Sequence, residues 1–167
     1  MIFLEKYSYR FAEQVLNSKL SVKEECENII TDIKDFDKLS RPGFNKILKE
    51  NFEKKGWESE PLVSKGDKDF MRRMDFLKDR VGVEVGFSHS SFIGVDLLKF
   101  QVSSYSELDT IDVGIYILTT KNFQKVMNQK YGLKWNGSLN FEKVKKDLPF
   151  YKSAIQIPIL IYGINIR

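Results

Sequence analysis

Apolar residues in the first third of the chain recur every three or four positions, which is the period of an amphipathic helix. One run follows the sequence SVKE at 21–24, which matches a capping box at a helix start. A second run begins near Ser40 and Pro42 and stops at Gly56, a residue suited to a helix C-terminus. The apolar positions are Val22, Cys26, Ile29, Ile30 and Ile33 in the first run, and Phe44, Ile47, Leu48 and Phe52 in the second. Residues 1–57 are therefore predicted to be mainly helical.

The second half of the chain changes to the patterns of β-strands. Residues 80–87 alternate strictly between apolar and small or polar side chains, while residues 111–118 and 157–164 are apolar nearly throughout. Between these strands we predict three helices: residues 92–100 (a strand is the alternative), a helix capped by Thr119 or Thr120, and a short helix marked by Phe141, Val144 and Leu148. Residues 58–69 are polar and predict a loop. Strands that alternate with helices predict an α/β fold, with a sheet covered on both faces.

The composition is that of an ordinary globular protein, with 42% hydrophobic and 30% charged residues among 167. This length predicts one domain over 1–167. No apolar run approaches the ~18 residues of a membrane helix. Glu5 and Lys6 interrupt the N-terminal apolar stretch, so we expect a cytoplasmic protein without a signal peptide. The net charge of +4 permits nucleic-acid binding without requiring it.

A single cysteine and a single histidine limit the metal chemistry of the chain. Cys26 cannot form an internal disulfide or a Cys-x-x-Cys zinc site, and His89 as the single histidine argues against a zinc site built on histidines. The helical pattern places Cys26 on an apolar face, which favours a buried apolar residue over a reactive thiol. Any metal would be held by carboxylates and carbonyls, the ligands of Mg²⁺, Ca²⁺ or Mn²⁺.

The predicted strand at 80–87 carries an unusual arrangement on one face. Because side chains alternate across a strand, Gly82, Glu84 and Gly86 share the face opposite the valines. The two glycines leave space for a ligand or another backbone to approach Glu84. The alternative is an edge strand with one solvated glutamate.

A second carboxylate, Asp75, precedes Glu84 by nine positions. A hairpin that turns at Lys78-Asp79 would bring Asp75 beside the strand that carries Glu84, with Asp79 and Arg80 as a solvated turn. Two converging carboxylates bind hard cations. Such an ion polarises a phosphoryl oxygen and lowers the pKa of a bound water, as phosphodiester hydrolysis requires.

The run DFLKDRVGVEVGF, which begins at Asp75, resembles the active-site hairpin of the BglII/BstYI group of type II restriction endonucleases. Other segments resemble further parts of these enzymes in the same order: FLEKYSYRFAEQVL, FNKILKENFEKKGW, SFIGVDLLKF, IDVGIYIL and IPILIYGI. The resemblance covers essentially the whole chain, with a shorter connection between Trp57 and Asp75.

The resemblance implies a PD-(D/E)XK restriction-endonuclease-like core, in which a central mixed β-sheet is flanked by α-helices. In that fold residues 1–57 would be the mainly helical part, and residues 70–167 the catalytic sheet core. The resemblance also implies a homodimer that cuts both strands of double-stranded DNA at a short palindrome built on a central GATC. The implied cofactor is Mg²⁺, for which Mn²⁺ can substitute.

Roles for individual residues follow from the same resemblance. Asp75 matches the metal-binding aspartate, Glu84 the second active-site carboxylate, and Val85 the residue whose main-chain carbonyl helps to bind the metal. Ser88 and His89 match the segment that approaches base edges in the major groove. We also expect DNA contacts from Lys78 and Lys99, and from the stretch at 124–136, in which Gln129 and Lys130 are the chosen residues.

Gly86 departs from the motif of these enzymes, which reads Glu-x-Gln. The third position normally holds the attacking water or its metal, and we expect a side chain at position 86 to project into the metal cleft. Three explanations stay open. The metal and the substrate phosphate suffice, the chain is inactive, or a nearby residue substitutes, with Lys78, Ser88, His89, Asp96 and Lys99 as the candidates.

Two further questions stay open from the sequence alone. Asp96 lies in an otherwise apolar segment, so it either pairs within the core or faces the active-site cleft. The alternatives to an endonuclease are a non-catalytic, sequence-specific DNA-binding homodimer of the same fold, and a small-molecule α/β protein unrelated to DNA.

Overall fold

The computed structural model describes residues 1–62, 73–105 and 109–167. The strands are β1 (Ile2–Tyr9), β2 (Glu58–Ser59), β3 (Phe76–Lys78), β4 (Val81–Val85), β5 (Val113–Thr119) and β6 (Ile159–Ile166). The helices are α1 (Ala12–Asn17), α2 (Leu20–Thr31), α3 (Arg41–Lys54), α4 (Ile93–Tyr105), α5 (Lys121–Gln129) and α6 (Phe141–Asp147). Short 3₁₀ segments lie at Phe36–Lys38, Ser90–Phe92 and Leu148–Tyr151. No helix in these ranges has both the length and the apolar character needed to cross a membrane.

The strands form one mixed sheet in the order β1-β6-β5-β4-β3-β2. Strands β4, β5 and β6 run parallel at its centre, while β1 at one edge and β3 and β2 at the other are antiparallel. All residues of β5 and seven of the eight in β6 are buried, as expected for parallel strands covered on both faces. The predicted α/β fold, a mixed sheet with flanking helices, is confirmed.

Each face of the sheet packs against its own group of helices. One core, filled by α2, α3 and α5, contains an aromatic cluster in which the Phe44 ring makes edge contacts with Phe87, Phe123 and Trp135. Cys26 is fully buried in this core, and burial raises the pKa of its thiol, as predicted for a structural cysteine. The second core is filled by α4 and α6.

The first strand is the main element that the sequence pattern missed. All eight residues of β1 pair with β6, from Ile2 opposite Ile166 to Tyr9 opposite Ile159. β1 lies at the sheet edge, and six of its residues keep some solvent exposure, so its pattern is weak. The segment predicted to be mainly helical therefore also contributes a strand to the sheet. The predicted loop at 58–69 begins with a short strand, β2 (Glu58–Ser59). The rest of that loop lies largely outside the described residues.

Most predicted helix ends agree with the structure. The Ser40 hydroxyl accepts a hydrogen bond from the N–H of Gly43, and Gly56, with φ 78°, follows the end of α3. Thr120 caps α5 in the same way through the N–H of Phe123. The predicted capping box at 21–24 is wrong, because α2 already begins at Leu20 and its N-cap makes no side-chain hydrogen bond. The segment at 92–100 is helical, which excludes the strand alternative.

Candidate active site

The hairpin formed by β3 and β4 brings the two predicted metal-binding carboxylates together. The pairing register of these strands, continued by one residue, places Asp75 opposite Glu84. Asp79 and Arg80 form the turn with φ values of 48° and 62°, the left-handed region that tight hairpin turns require. The turn predicted at Lys78-Asp79 thus lies one residue further along the chain.

Asp75 is anchored to β4 and borders the surface. Its Oδ2 accepts a hydrogen bond of 2.7 Å from the main-chain N–H of Val85. Burial raises the pKa of Asp75 to about 6, although the Val85 N–H and the charge of Lys99 oppose this shift. Asp75 lines a pocket of about 170 Å³, whose other walls are Asn45, Lys49, Ser59, Glu60, Phe76 and Val85. Asp75 therefore lies where the buried centre opens to solvent.

Glu84 is buried more deeply, with only 2% of the residue exposed. Its Oε2 accepts a hydrogen bond of 3.1 Å from Lys99 Nζ, whereas Oε1 is buried and has no hydrogen-bond partner among the described residues. Burial raises the pKa of Glu84, and the nearby charge of Asp75 raises it further. A buried carboxylate oxygen without a partner is costly, and a cation would relieve that cost.

Helix α4 supplies the positive charge that faces the hairpin. Burial by itself lowers the pKa of Lys99, but the charges of Glu84, Asp75 and Asp96 outweigh burial, so the pKa is raised. Asp96 Oδ1 lies 4.0 Å from Lys99 Nζ, and Asp96 Oδ2 accepts a hydrogen bond of 2.6 Å from the hydroxyl of Tyr116. Asp96 thus both pairs within the core and belongs to the carboxylate cluster.

Tyr116 is the member of this cluster that sequence reasoning missed. It lies fully buried on β5, directly opposite Glu84 in the parallel register of β4 and β5. A tyrosine inside the apolar run IDVGIYIL is most simply interpreted as core, and no local pattern distinguishes it from such a residue. The pairing register of β4 and β5, which places Tyr116 opposite Glu84, is the information that identifies it.

The glycines beside Glu84 accommodate protein side chains rather than a ligand. A Cβ atom at Gly82 would collide with the side chain of Met74. A Cβ atom at Gly86 would lie 2.6 Å from Leu118 Cδ2 and 2.7 Å from Tyr116 Cε2. The expectation that a side chain at position 86 projects into the metal cleft is therefore wrong, because side chains of β5 already fill that space.

The donor set at the hairpin fits a divalent cation that brings water ligands with it. Among the described residues, no three His, Cys, Asp or Glu side chains converge as a ready-made metal site. Asp75, Glu84 and the main-chain carbonyl of Val85 would instead provide three protein oxygen donors, the type that Mg²⁺ prefers. When all are ionised, the carboxylates of Asp75, Glu84 and Asp96 and the ammonium of Lys99 carry a formal charge of −2. The unpartnered Oε1 and this charge both favour a dication.

The residues predicted to contact DNA differ in their surroundings. Ser88 and His89 are exposed just beyond β4, where His89 Nδ1 accepts a hydrogen bond from the N–H of Ser91. Gln129 and Lys130 are exposed at the end of α5.

Other predicted contacts are engaged within the protein. Lys78 Nζ donates to Glu25 at 2.7 Å and to the carbonyl of Lys55, and Lys99 lies within the carboxylate cluster rather than on the surface. Gln124 and Trp135, from the stretch expected to face DNA, are buried core residues, so that expectation is wrong for these two.

The sequence profile of the family described as restriction endonuclease BglII/BglIII matches residues 4–164. The chain belongs to this family. As a member of this family, the chain is a type II site-specific deoxyribonuclease, and the resemblance identified in the sequence is confirmed. The alternative hypothesis, a small-molecule α/β protein unrelated to DNA, is excluded.

The fold of the chain agrees with its place among the BglII/BglIII enzymes. It matches the crystal structure of restriction endonuclease BglII complexed with a DNA 16-mer with a TM-score of 0.74, over 99% of this chain and 79% of that chain. The two sequences are 22% identical, so this likeness concerns the fold, and it confirms the predicted restriction-endonuclease-like core. Among curated protein sequences, none matches the chain.

Proposed function

We propose that this BglII/BglIII-family enzyme is a Mg²⁺-dependent homodimer that cuts both strands of a short DNA palindrome with a central GATC. The main observation in support of metal-dependent cleavage is the Asp75–Glu84 pair, in which Glu84 Oε1 is buried without a partner among the described residues. The resemblance to the BglII/BstYI-type enzymes supports the central GATC. The solved relative was crystallised with a DNA 16-mer, which supports duplex DNA as the partner.

The proposed metal ligands are Asp75, Glu84 and the carbonyl of Val85, with Mn²⁺ able to replace Mg²⁺. When bound, the ion polarises a phosphoryl oxygen and lowers the pKa of a water ligand. The N–H of Val85 orients Asp75 for this role, and Lys99 holds one oxygen of Glu84. Burial of Glu84 excludes bulk water from that side of the site, where electrostatic interactions are consequently stronger.

Contacts to DNA are proposed for the exposed predicted residues. Ser88 and His89 follow the active-site strand directly and would reach base edges, while Lys130 would attract phosphates and Gln129 would bind a base or the backbone. We assign no direct base contact to Lys78 or Lys99, because both ammonium groups already have protein partners.

The homodimer is supported by the number of hydrolytic centres and by helix α4. Cutting two strands takes two centres, and the described residues provide one such carboxylate pair per chain. A twofold pair of chains matches the symmetry of a palindrome. The outer face of α4 carries Leu98, Val102 and Tyr105, which are 53%, 38% and 65% exposed and share one helix face. We propose that this apolar stripe packs against a second copy of the chain.

Digestion of unmethylated phage DNA in Mg²⁺ tests the proposed function. We expect discrete fragments whose ends map to GATC-containing palindromes. The matched variant Asp75→Asn retains an acceptor for the Val85 N–H but loses a charged metal ligand, so its cleavage rate should fall by about 10³-fold or more. Its DNA binding, measured by gel shift, should persist.

Each other result has a distinct meaning. Cleavage at the unmutated rate by Asp75→Asn would remove the metal-ligand assignment. A gel shift without cutting, in both Mg²⁺ and Mn²⁺, would favour the non-catalytic DNA-binding homodimer, for which the missing side chain at Gly86 is the motivating observation. A protein that neither binds nor cuts the DNA would overturn the proposal.

A further inference from the structure

Glu84 is held by a lysine that comes from outside the hairpin. We propose that Lys99 is a positioning residue for the cleavage reaction: its ion pair with Oε2 of Glu84 fixes the orientation of that carboxylate and leaves Oε1 free for the cation. We also propose that Gly86 and Tyr116 place Lys99 in this position. The inference rests on the proposed function, because it assigns a role within that same site.

Lys99 is the cation that pairs with Glu84, whereas Lys49, on the wall of the pocket beside Asp75, pairs with Glu60. Its Nζ lies 3.1 Å from Glu84 Oε2, and the two residues are 8% and 2% exposed. The hairpin has two cations of its own, but both have other partners. Lys78 binds Glu25, and Arg80 binds Asp109 and Asp112, as the ion pairs of these residues show. Strand β4 carries no cation, and Gly86 adds no side chain.

A chain of contacts connects Gly86 to Lys99. Because Gly86 has no side chain, the ring of Tyr116 lies where a Cβ atom would be. The Tyr116 hydroxyl holds Asp96 through the 2.6 Å hydrogen bond to Oδ2. The other carboxylate oxygen of Asp96, Oδ1, lies 4.0 Å from Lys99 Nζ. Gly86 is therefore linked to Lys99 through Tyr116 and Asp96.

The ion pair differs from one that serves stability alone. A buried ion pair contributes to stability only when its remaining hydrogen-bonding atoms are also satisfied. Here Glu84 Oε1 is buried without a partner among the described residues. Lys23 offers the contrast: it is equally buried, and its Nζ donates to both Glu13 and Asn17. Lys23 is thus a matched control, with the same charge and burial but with partners outside the carboxylate cluster.

The test compares Lys99→Met with Lys23→Met on a duplex that carries one mapped cleavage site. Single-turnover cleavage is measured in Mg²⁺, and binding to the same duplex is measured in EDTA by fluorescence anisotropy. For Lys99→Met we expect a cleavage rate about 10–100-fold lower, the range for a residue that orients a metal ligand, with the dissociation constant within about fivefold of the unmutated value. Lys23→Met should cleave within about threefold of the unmutated rate. Lys99→Gln, which retains a donor for Glu84, should lose less activity than Lys99→Met.

The remaining outcomes overturn the inference. Cleavage by Lys99→Met at the unmutated rate removes the positioning role while the proposed function stands. A parallel loss of binding and cleavage makes Lys99 a DNA-binding residue instead. Should Lys99→Met fail to fold, as judged by circular dichroism, the same criteria apply to Lys99→Gln. Absence of cleavage by the unmutated protein in Mg²⁺ and Mn²⁺ overturns the proposed function, and the role of Lys99 falls with it.

Discussion

At the scale of single residues, Gly86 shows how a correct local rule leads to a wrong conclusion. Strand alternation places position 86 on the same face as Glu84, and the structure agrees, because both face the core that contains Tyr116 and Leu118. The space beside Gly86 is nevertheless filled by those two side chains. What a glycine makes room for depends on the neighbouring strand, which the glycine's own sequence does not reveal.

Replacing Gly86 by glutamine should therefore damage the protein rather than improve it. The new side chain collides with the buried Tyr116 ring, so we expect a loss of about 1–3 kcal/mol in the free energy of unfolding, and slower cleavage because Tyr116 holds Asp96. Urea unfolding and a cleavage assay measure both effects. Gly94→Ala on α4 is the control: apart from its chain neighbours and the backbone of its own helix, no atom lies within 4 Å of the added Cβ, so stability should rise by up to about 1 kcal/mol. Faster cleavage by Gly86→Gln at unchanged stability would contradict the conclusion that Tyr116 and Leu118 leave no room for a side chain at position 86.

At the scale of elements, the position of helix α4 on the sheet decides where Lys99 lies. Phe100, the next residue, packs onto β5 at Gly114, where a Cβ atom would lie 2.5 Å from the Phe100 ring. The Phe100 ring also contacts Tyr116 edge-on, with ring centroids 5.8 Å apart. A glycine on β5 thus allows α4 to come close enough for Lys99 to reach Glu84 on the adjacent strand.

Gly114→Ala should move α4 outward and separate Lys99 from Glu84. We expect lower stability together with a cleavage rate reduced by at least about tenfold, which corresponds to ~1.4 kcal/mol of transition-state stabilisation. Gly163→Ala is a matched control, because its Cβ atom would meet the Phe141 ring of α6 at 2.6 Å on the same sheet face. Gly163→Ala should lose stability but retain its cleavage rate per folded molecule. Equal rates for the two variants would show that the docking of α4 does not control the site.

At the scale of the whole molecule, the outer face of helix α4 exposes a stripe of apolar side chains to solvent. Leu98, Val102 and Tyr105 lie on α4, whose opposite face carries Asp96 and Lys99 to the site. The outer face of a surface helix is usually polar, whereas the outer face of α4 exposes three large apolar side chains. A second copy of α4 packed on this stripe would bury it and would set the distance between the two active sites.

The double variant Leu98→Glu/Val102→Glu should convert a dimer into a folded monomer. Two like charges in a self-complementary interface meet their own copies, so dimerisation should weaken by several kcal/mol. Sedimentation measures the change, and circular dichroism verifies the fold. Phe150→Glu, at an exposed apolar residue on another element, should leave the dimer intact. A monomer for the unmutated protein, both free and with cognate duplex, would reject the homodimer.

The features that the sequence alone predicts are those that depend on local spacing. Helix α3 with its Ser40 cap and Gly56 stop follows from side chains within a few residues of one another, and so does the alternation of β4. The approach of Asp75 to Glu84 belongs to the same class. A two-residue turn connects their strands, so the pairing is decided by a short stretch of chain.

The tertiary structure decided the features that depend on distant segments. β1 forms a strand only by pairing with β6, which lies at least 150 residues later in the chain. Lys99 reaches Glu84, and Tyr116 fills the space at Gly86, because a parallel register and a docked helix bring three separate segments together. Alternation and periodicity identify which face a residue occupies, but the partner across that face is set by packing of the whole sheet.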